Sequence, residues 1–337
     1  MDQQQAPWRM AIIGAGWAGS QHAQAIRALA PRATLVALAE QDATVAAAKA
    51  AEWQLSTWTA DYHELLTRDL VDAVSICLPH SQHAEVAIAA AEAGLHVLVE
   101  KPLATTLDEA DRMIAAARQQ GVQLMVAENM RFDATYQRVA ELLQAGVVGE
   151  IFMVRISREH QMRAYLQARP WFLQEKFGGI LASGGIHDFE LIRMLAGEIA
   201  HVYAVTPRAV FGEMIADDTG VVVAGLANGA VATLVESFAI RTSTPGVHGI
   251  VHGTSGSLWF HGETIRLYRH AEDGHADAVE FVRVPVVDTF QAEMAHFLDC
   301  LDQNVTPITS GEEERKPLAA VLAAYESLRR GARVDLM

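Results

Sequence analysis

The apolar run Met10 to Ile13 ends in Gly14-Ala15-Gly16-Trp17-Ala18-Gly19, and Ala23, Ile26 and Ala30 then repeat at helical spacing. A strand that turns into a helix through three glycines restricts the fold more than any other stretch. The first glycine permits the tight turn, the second lets backbone approach a pyrophosphate, and the third allows close helix-to-strand packing. The helix N-terminus then faces negative charge. The expectation is a parallel, doubly wound sheet whose first crossover, through Gly14, Gly16, Trp17, Ala18 and Gly19, touches a dinucleotide. The competing reading is a tight turn in a sheet that binds no nucleotide.

The stretch up to Asn129 fits that sheet. Apolar runs at Met10 to Ile13, Thr34 to Ala39, Ala73 to Leu78, His96 to Val99 and Gln123 to Ala127 alternate with helix-period segments such as Gln82 to Ala93, which Gly94 closes. Glu40 follows the second run, 21 positions after Gly19, near the ~20-residue interval at which an acidic side chain meets the adenosine ribose. A carboxylate there repels a 2′-phosphate. Gln41 and Asp42 offer a phosphate nothing, and no basic residue follows until Lys49, so NAD is expected rather than NADP.

With 337 residues, 51% of them hydrophobic, the chain is expected to form two domains. After a helix over Ala134 to Ala145, strand-like runs follow at Ile151 to Ser157, Val202 to Thr206, Val221 to Leu226 and Val231 to Phe238. Asn228-Gly229 reads as a two-residue type I′ hairpin between the last two. Two helices, Gln291 to Leu301 and Glu312 to Arg329, end the chain. The fold class is therefore α/β, with a Rossmann domain over 1–129, closed by a contribution from 290–337, and a second domain over 130–337.

A formal net charge of -15 without a basic cluster argues against nucleic acid. No apolar stretch reaches the ~20 residues of a membrane span, and the N-terminus lacks a basic segment followed by an apolar one, so a cytoplasmic location is expected. Cys77 and Cys300 match no disulfide framework or metal spacing and are expected to be buried and inert. His80 and His83 have a metal-like interval, yet no third ligand is near, so no metal is expected.

Glu100-Lys101-Pro102 follows the run ending at Val99. A lysine at the carboxyl end of such a strand sits at the crevice where doubly wound sheets hold ligands. There its amine can handle a substrate proton. The plainer alternative is a solvated lysine in a proline turn. Pro102 restricts Lys101 to extended backbone and admits a cis bond.

Several separated motifs resemble the Gfo/Idh/MocA family, the glucose-fructose oxidoreductase and inositol dehydrogenase group. They are Leu78-Pro79-His80-Ser81-Gln82-His83, Ala93 to Pro102, Asn129-Met130-Arg131-Phe132, Gly178-Gly179-Ile180-Leu181 and Gly185-Ile186-His187. The closing segments Glu293 to Val305, Ser310-Gly311-Glu312 and Ala324-Tyr325-Glu326-Ser327 look similar too. The resemblance implies a second domain with an open, mainly antiparallel sheet used for oligomer contacts, as a dimer or tetramer. It implies hydride transfer between a nicotinamide and a carbinol or ketone of a sugar, polyol or inositol, and an active site between the domains.

The resemblance further implies that Pro79, His83, Glu100 and Lys101 lie beside the cofactor, with Lys101 and His187 managing the proton. It places Asn129, Arg131, Ser183 and Asp188 by the substrate, where Arg131 holds a hydroxyl or carboxylate, or else makes an interdomain salt bridge. Trp171 offers a flat face to a sugar ring or simply packs. One departure stands out. Family members commonly carry an acidic residue four positions before the histidine, where this chain has Ser183. Three readings follow: Lys101 and His187 suffice, Asp188 or Glu190 supplies the charge, or dehydrogenase activity is lost. The alternatives to a dehydrogenase are a nucleotide-bound sensor and a glycosidase that oxidises its sugar transiently.

Overall fold

The computed structural model describes residues 6–174, 177–240, 247–269 and 278–336. They divide into two compact units, the first running to Asn129 and taking in Asp288–Arg315, the second comprising Met130–Val287 and the chain from Lys316.

In the first unit, β1 (Trp8–Ile13), α1 (Trp17–Ala28), β2 (Ala33–Ala39), α2 (Ala43–Glu52) and β3 (Thr57–Thr59) form the first half. β4 (Ala73–Ile76), α3 (His83–Glu92), β5 (His96–Glu100), α4 (Leu107–Gln120) and β6 (Leu124–Ala127) form the second. The sheet order is β3-β2-β1-β4-β5-β6, and every pairing is parallel. All residues of β4 and β6 are buried, because helices cover both faces of a parallel sheet. Local signals fix the helix ends. Asp42 caps α2 through Thr44 and Val45 N–H, Thr106 and Glu109 form a capping box on α4, and Gly121 ends α4 at φ 65°.

The second unit begins with α5 (Ala134–Gln144), β7 (Ile151–Glu159), α6 (Arg163–Gln167), α7 (Pro170–Gln174), α8 (Ile180–Ser183) and α9 (Gly185–Ala196). Seven strands follow: β8 (Ile199–Val205), β9 (Thr219–Leu226), β10 (Val231–Ser237), β11 (Val247–Gly253), β12 (Gly256–His261), β13 (Thr264–Arg269) and β14 (Ala278–Arg283). α10 (Thr289–Gln303) belongs to the first unit; the division falls inside α11 (Gly311–Arg330), and β15 (Val334–Asp335) lies in the second.

The second sheet runs β14-β13-β12-β11-β7-β10-β9-β8-β15 and is antiparallel except where β10 pairs with β7. Its covered face buries Val154, Ile156, Val222, Leu234, Leu258 and Leu267. Its other face leaves Tyr203, Val223, Val231 and Phe281 exposed.

Three expectations change. The segment that returns to the first unit is Asp288–Arg315, not 290–337. Only Gly229 of the Asn228-Gly229 pair has positive φ, at 89°. Leu226 N–H bonds Ala230 O at 2.8 Å, which leaves a three-residue loop ending in left-handed glycine instead of a type I′ turn. The Asn228 side-chain amide donates to Ala196 O at 2.8 Å, tying the loop to the end of α9. Cys77 is half-buried, whereas Cys300 is buried as expected. No described helix is long and apolar enough to cross a membrane.

Candidate active site

The glycines of the first turn have separate steric reasons. A Cβ on Gly14, at φ 100°, would stand 2.4 Å from Cys77 O, and one on Gly19 would stand 2.1 Å from Gly14 O. Both therefore let backbone pass against backbone. Around Gly16 a Cβ would meet nothing within 4 Å, so this glycine borders open space. Gly16 is also the N-cap of α1 and supplies no side-chain cap, which leaves the first N–H groups of a 12-residue helix for an anion. A pyrophosphate fits this turn.

Glu40 stands beside the turn. Its carboxylate accepts Ala15 N–H at 2.9 Å and Asp42 N–H at 3.1 Å, so the acid at the tip of β2 is tied to the glycine loop. Trp17 is 51% exposed, and its ring meets Phe290 edge-on at 5.5 Å. Ala18 lies half-buried in the first turn of α1.

Pro79 and Lys101 lie half-buried beyond the carboxyl ends of β4 and β5, and the Lys101–Pro102 bond is cis. Glu100 accepts the Lys101 N–H at 3.1 Å. His83 departs from expectation. It is fully buried, with Nδ1 2.8 Å from Pro102 O and Nε2 2.9 Å from Leu78 O. Both nitrogens are taken by carbonyls, so His83 ties the two strand-end loops together and offers no atom to a nucleotide. His22, Ser75, Glu128 and Glu293 are buried polar residues to which the motifs gave no role. A histidine on the same helical stripe as Ala23 and Ile26 was the available signal.

Asn129 closes the first unit, its amide donating to Thr289 Oγ1 at 2.8 Å. Arg131 belongs to the second unit, where Nη1 lies 3.6 Å from Glu190 Oε1. Glu190 also accepts from Arg193.

The loop before α8 is pinned by Asp217. Its main-chain O accepts Ile180 N–H at 2.8 Å, Oδ2 accepts Leu181 N–H at 3.0 Å, and Oδ1 accepts the Tyr325 hydroxyl at 2.7 Å. A Cβ on Gly179 would come 1.9 Å from that Oδ1, which explains the glycine. Burial pushes the Asp217 carboxyl up, against the hydrogen bonds that pull it down.

Ser183 ends α8, 5% exposed, and its hydroxyl donates back to Gly179 O at 2.6 Å. His187 follows in the first turn of α9 and is 8% exposed. Asp188 is fully buried and grips Arg158 with two bonds, Nε to Oδ2 at 2.9 Å and Nη2 to Oδ1 at 2.7 Å. This corrects its assignment to substrate: the carboxylate neutralises a buried guanidinium and has no exposed atom. Burial opposes both charges, but each partner favours the other's charged form, so Arg158 stays a cation and Asp188 an anion. Glu236, buried beside them, has its carboxyl pushed well up by burial and by the Asp188 charge. Trp171 is 37% exposed and leans on Phe172, ring centres 4.9 Å apart.

Residues 8–128 match the model of an oxidoreductase family with an NAD-binding Rossmann fold, and residues 136–259 match the GFO/IDH/MocA C-terminal domain. The scyllo-inositol 2-dehydrogenase (NAD+) of Bacillus subtilis is 29% identical over 342 residues, covering 97% of this chain and 96% of that one. The D-apiose dehydrogenase of Paraburkholderia graminis is 29% identical over 340 residues, covering 97% and 89%. A levoglucosan dehydrogenase solved with NADH and L-sorbose superposes with a TM-score of 0.89 at 23% identity, covering 99% of this chain and all of that one, a likeness of fold.

Proposed function

The chain belongs to the Gfo/Idh/MocA oxidoreductases, and from that premise we propose that it oxidises a secondary alcohol of a sugar, polyol or inositol, or reduces the matching ketone. It is an NAD-binding enzyme acting on CH–OH groups. The observation that carries the reading is the carboxyl edge of the first sheet. There an uncapped helix N-terminus beside open Gly16, the Glu40 carboxylate and Lys101 lie at the ends of β1, β2 and β5. The named activities of the inositol and apiose relatives support the substrate class.

NAD, when bound, supplies the hydride acceptor or donor. Gly14, Gly16, Trp17, Ala18 and Gly19 cradle the pyrophosphate, Glu40 receives the ribose hydroxyls, and Pro79 and Glu100 border the same edge. Lys101 holds the reacting oxygen and takes or returns its proton. His187 is the candidate acid–base group of the second unit. Asn129, Arg131, Trp171 and the Ser183 segment are its companions toward substrate.

A cytoplasmic location and a homo-oligomer joined through the second sheet are part of the reading. The open face of that sheet supports the assembly, because exposed Tyr203, Val223, Val231 and Phe281 make it unusually apolar for a solvated surface.

Lys101→Ala tests the core of the proposal. Loss of a proton-transfer group costs about 10²–10⁴-fold in turnover, while NAD affinity by calorimetry stays near wild type. Undiminished NADH formation in the variant sinks it. Ser183 favours a second reading, since its hydroxyl is spent on Gly179 at the position where the family resemblance implies an acid. A transient-oxidation glycosidase forms no net NADH but exchanges substrate hydrogen with deuterated solvent. A sensor binds NAD and does neither.

A further inference from the structure

The first unit holds a buried polar cluster that includes Glu100, the residue before Lys101. His22, on the inner side of α1, is 1% exposed, with Nδ1 2.7 Å from Ser75 Oγ on β4. Its Nε2 lies 3.3 Å from Glu100 Oε1 at the end of β5 and 3.8 Å from Glu293 Oε1 on α10. Cys77 Sγ stands 3.6 Å from the Ser75 hydroxyl, and fully buried Glu128 follows β6. The Phe290 ring meets His22 edge-on at 5.7 Å.

Buried carboxyls around one imidazole do not all ionise, because each buried charge needs a partner. Geometry selects which one does. Glu100 is within hydrogen-bond reach of His22 and also accepts Lys101 N–H, whereas neither oxygen of Glu293 has a hydrogen-bond partner. Burial works against the His22 cation, yet the Glu100 carboxylate, within hydrogen-bond reach, raises it above the ordinary histidine range. Burial likewise opposes the Glu100 anion, but His22 and Lys101 hold its carboxyl below the usual value. Glu293 goes the other way, pushed well up by burial and by Glu100 and Glu128, with His22 opposing.

We propose that His22 is a positioning residue for Lys101: its imidazolium fixes Glu100 as an anion, Glu100 fixes the Lys101 main-chain N–H, and Glu293 remains a neutral neighbour. The proposal rests on the reading of Lys101 as the proton-handling residue.

Heteronuclear NMR of the NAD-bound protein tests it first. The His22 imidazole stays protonated on both nitrogens from acid to neutral pH, and the Lys101 amide proton sits downfield. His22→Gln, which keeps polarity and removes the charge, moves that amide upfield. It lowers kcat at least tenfold with KM for NAD within twofold, and displaces the pH profile of kcat. Glu293→Gln exchanges one neutral group for another, so the His22 charge and the Lys101 amide shift remain. A neutral His22 in the wild type overturns the proposal. So does an unmoved Lys101 amide in His22→Gln, or a Glu293→Gln variant that discharges His22. Should His22→Gln not fold, the wild-type titration and Glu293→Gln decide. Wild-type protein that turns over no alcohol defeats the functional reading alone, because the NMR measurements do not require turnover.

Discussion

The two units build their candidate proton-handling residues on different supports. Lys101 leaves the end of a buried parallel strand, and its neighbour Glu100 is linked to a histidine three helical positions beyond the last glycine of the turn. His187 stands in the first turn of a helix whose Asp188 is paired with Arg158 of β7, with the buried carboxyl of Glu236 on β10 beside them. A strand-end site is fixed by its own sheet and its own motif. A helix-start site borrows its rigidity from distant strands, and that makes it the more fragile of the two.

The sharpest way to break this contrast is Asp188→Ala. It leaves Arg158 buried without its counter-charge, a loss of about 3–5 kcal/mol. Urea unfolding checks it, and a variant as stable as the parent shows that the pair is not a foundation of α9. In the first unit, Gly19→Ala drives a methyl toward Gly14 O, which would stand 2.1 Å from it. Such overpacking costs about 1–3 kcal/mol. NAD affinity falls with it, and titration with NAD finds the loss, whereas an unchanged affinity would falsify the steric role of this glycine.

The smallest effect sharpens the comparison through pH. The Glu236 carboxyl is pushed well above its unfolded value by burial and by Asp188, so the unfolded state ionises first. Its contribution to stability is therefore full below the unfolded carboxylate pKa and is lost as pH rises toward the folded value. Glu236→Gln removes that loss. The variant matches the parent at acid pH and gains on it as pH rises, seen as a growing difference in urea midpoint. A pH-independent difference contradicts the assignment.

The same contrast explains what the sequence made legible. The first sheet could be read strand by strand because apolar runs, glycine caps and the Gly14 to Gly19 turn are local signals. In the second sheet, β11 to β14 escaped notice. Leu258 and Phe260 do alternate with half-buried Ser257 and Trp259, but Gly249, Gly253, Gly256 and Gly262 interrupt the pattern. The parallel pairing of β10 with β7 joins Val231 to Met153, and no local feature announces it. Site residues divide the same way. Gly14, Gly16, Gly19, Glu40 and Lys101 stood out by spacing. Asp188 was misread because its partner Arg158 is 30 residues away, and Glu293 was given no role because its neighbour His22 lies at the other end of the chain.

The return of Asp288–Arg315 to the first unit also governs how the protein can be made. Trp17 in the glycine turn packs on Phe290, and the edge strand β6 bonds Thr309; neither Phe290 nor Thr309 has been synthesised when the Rossmann helices emerge. During translation the nucleotide-binding half waits, unfinished, for nearly the whole of the other half to follow it from the ribosome. A chain cut after Asn129 lacks α10, so the smallest piece that can be expected to fold as this unit is a fusion of the two segments, not an N-terminal fragment.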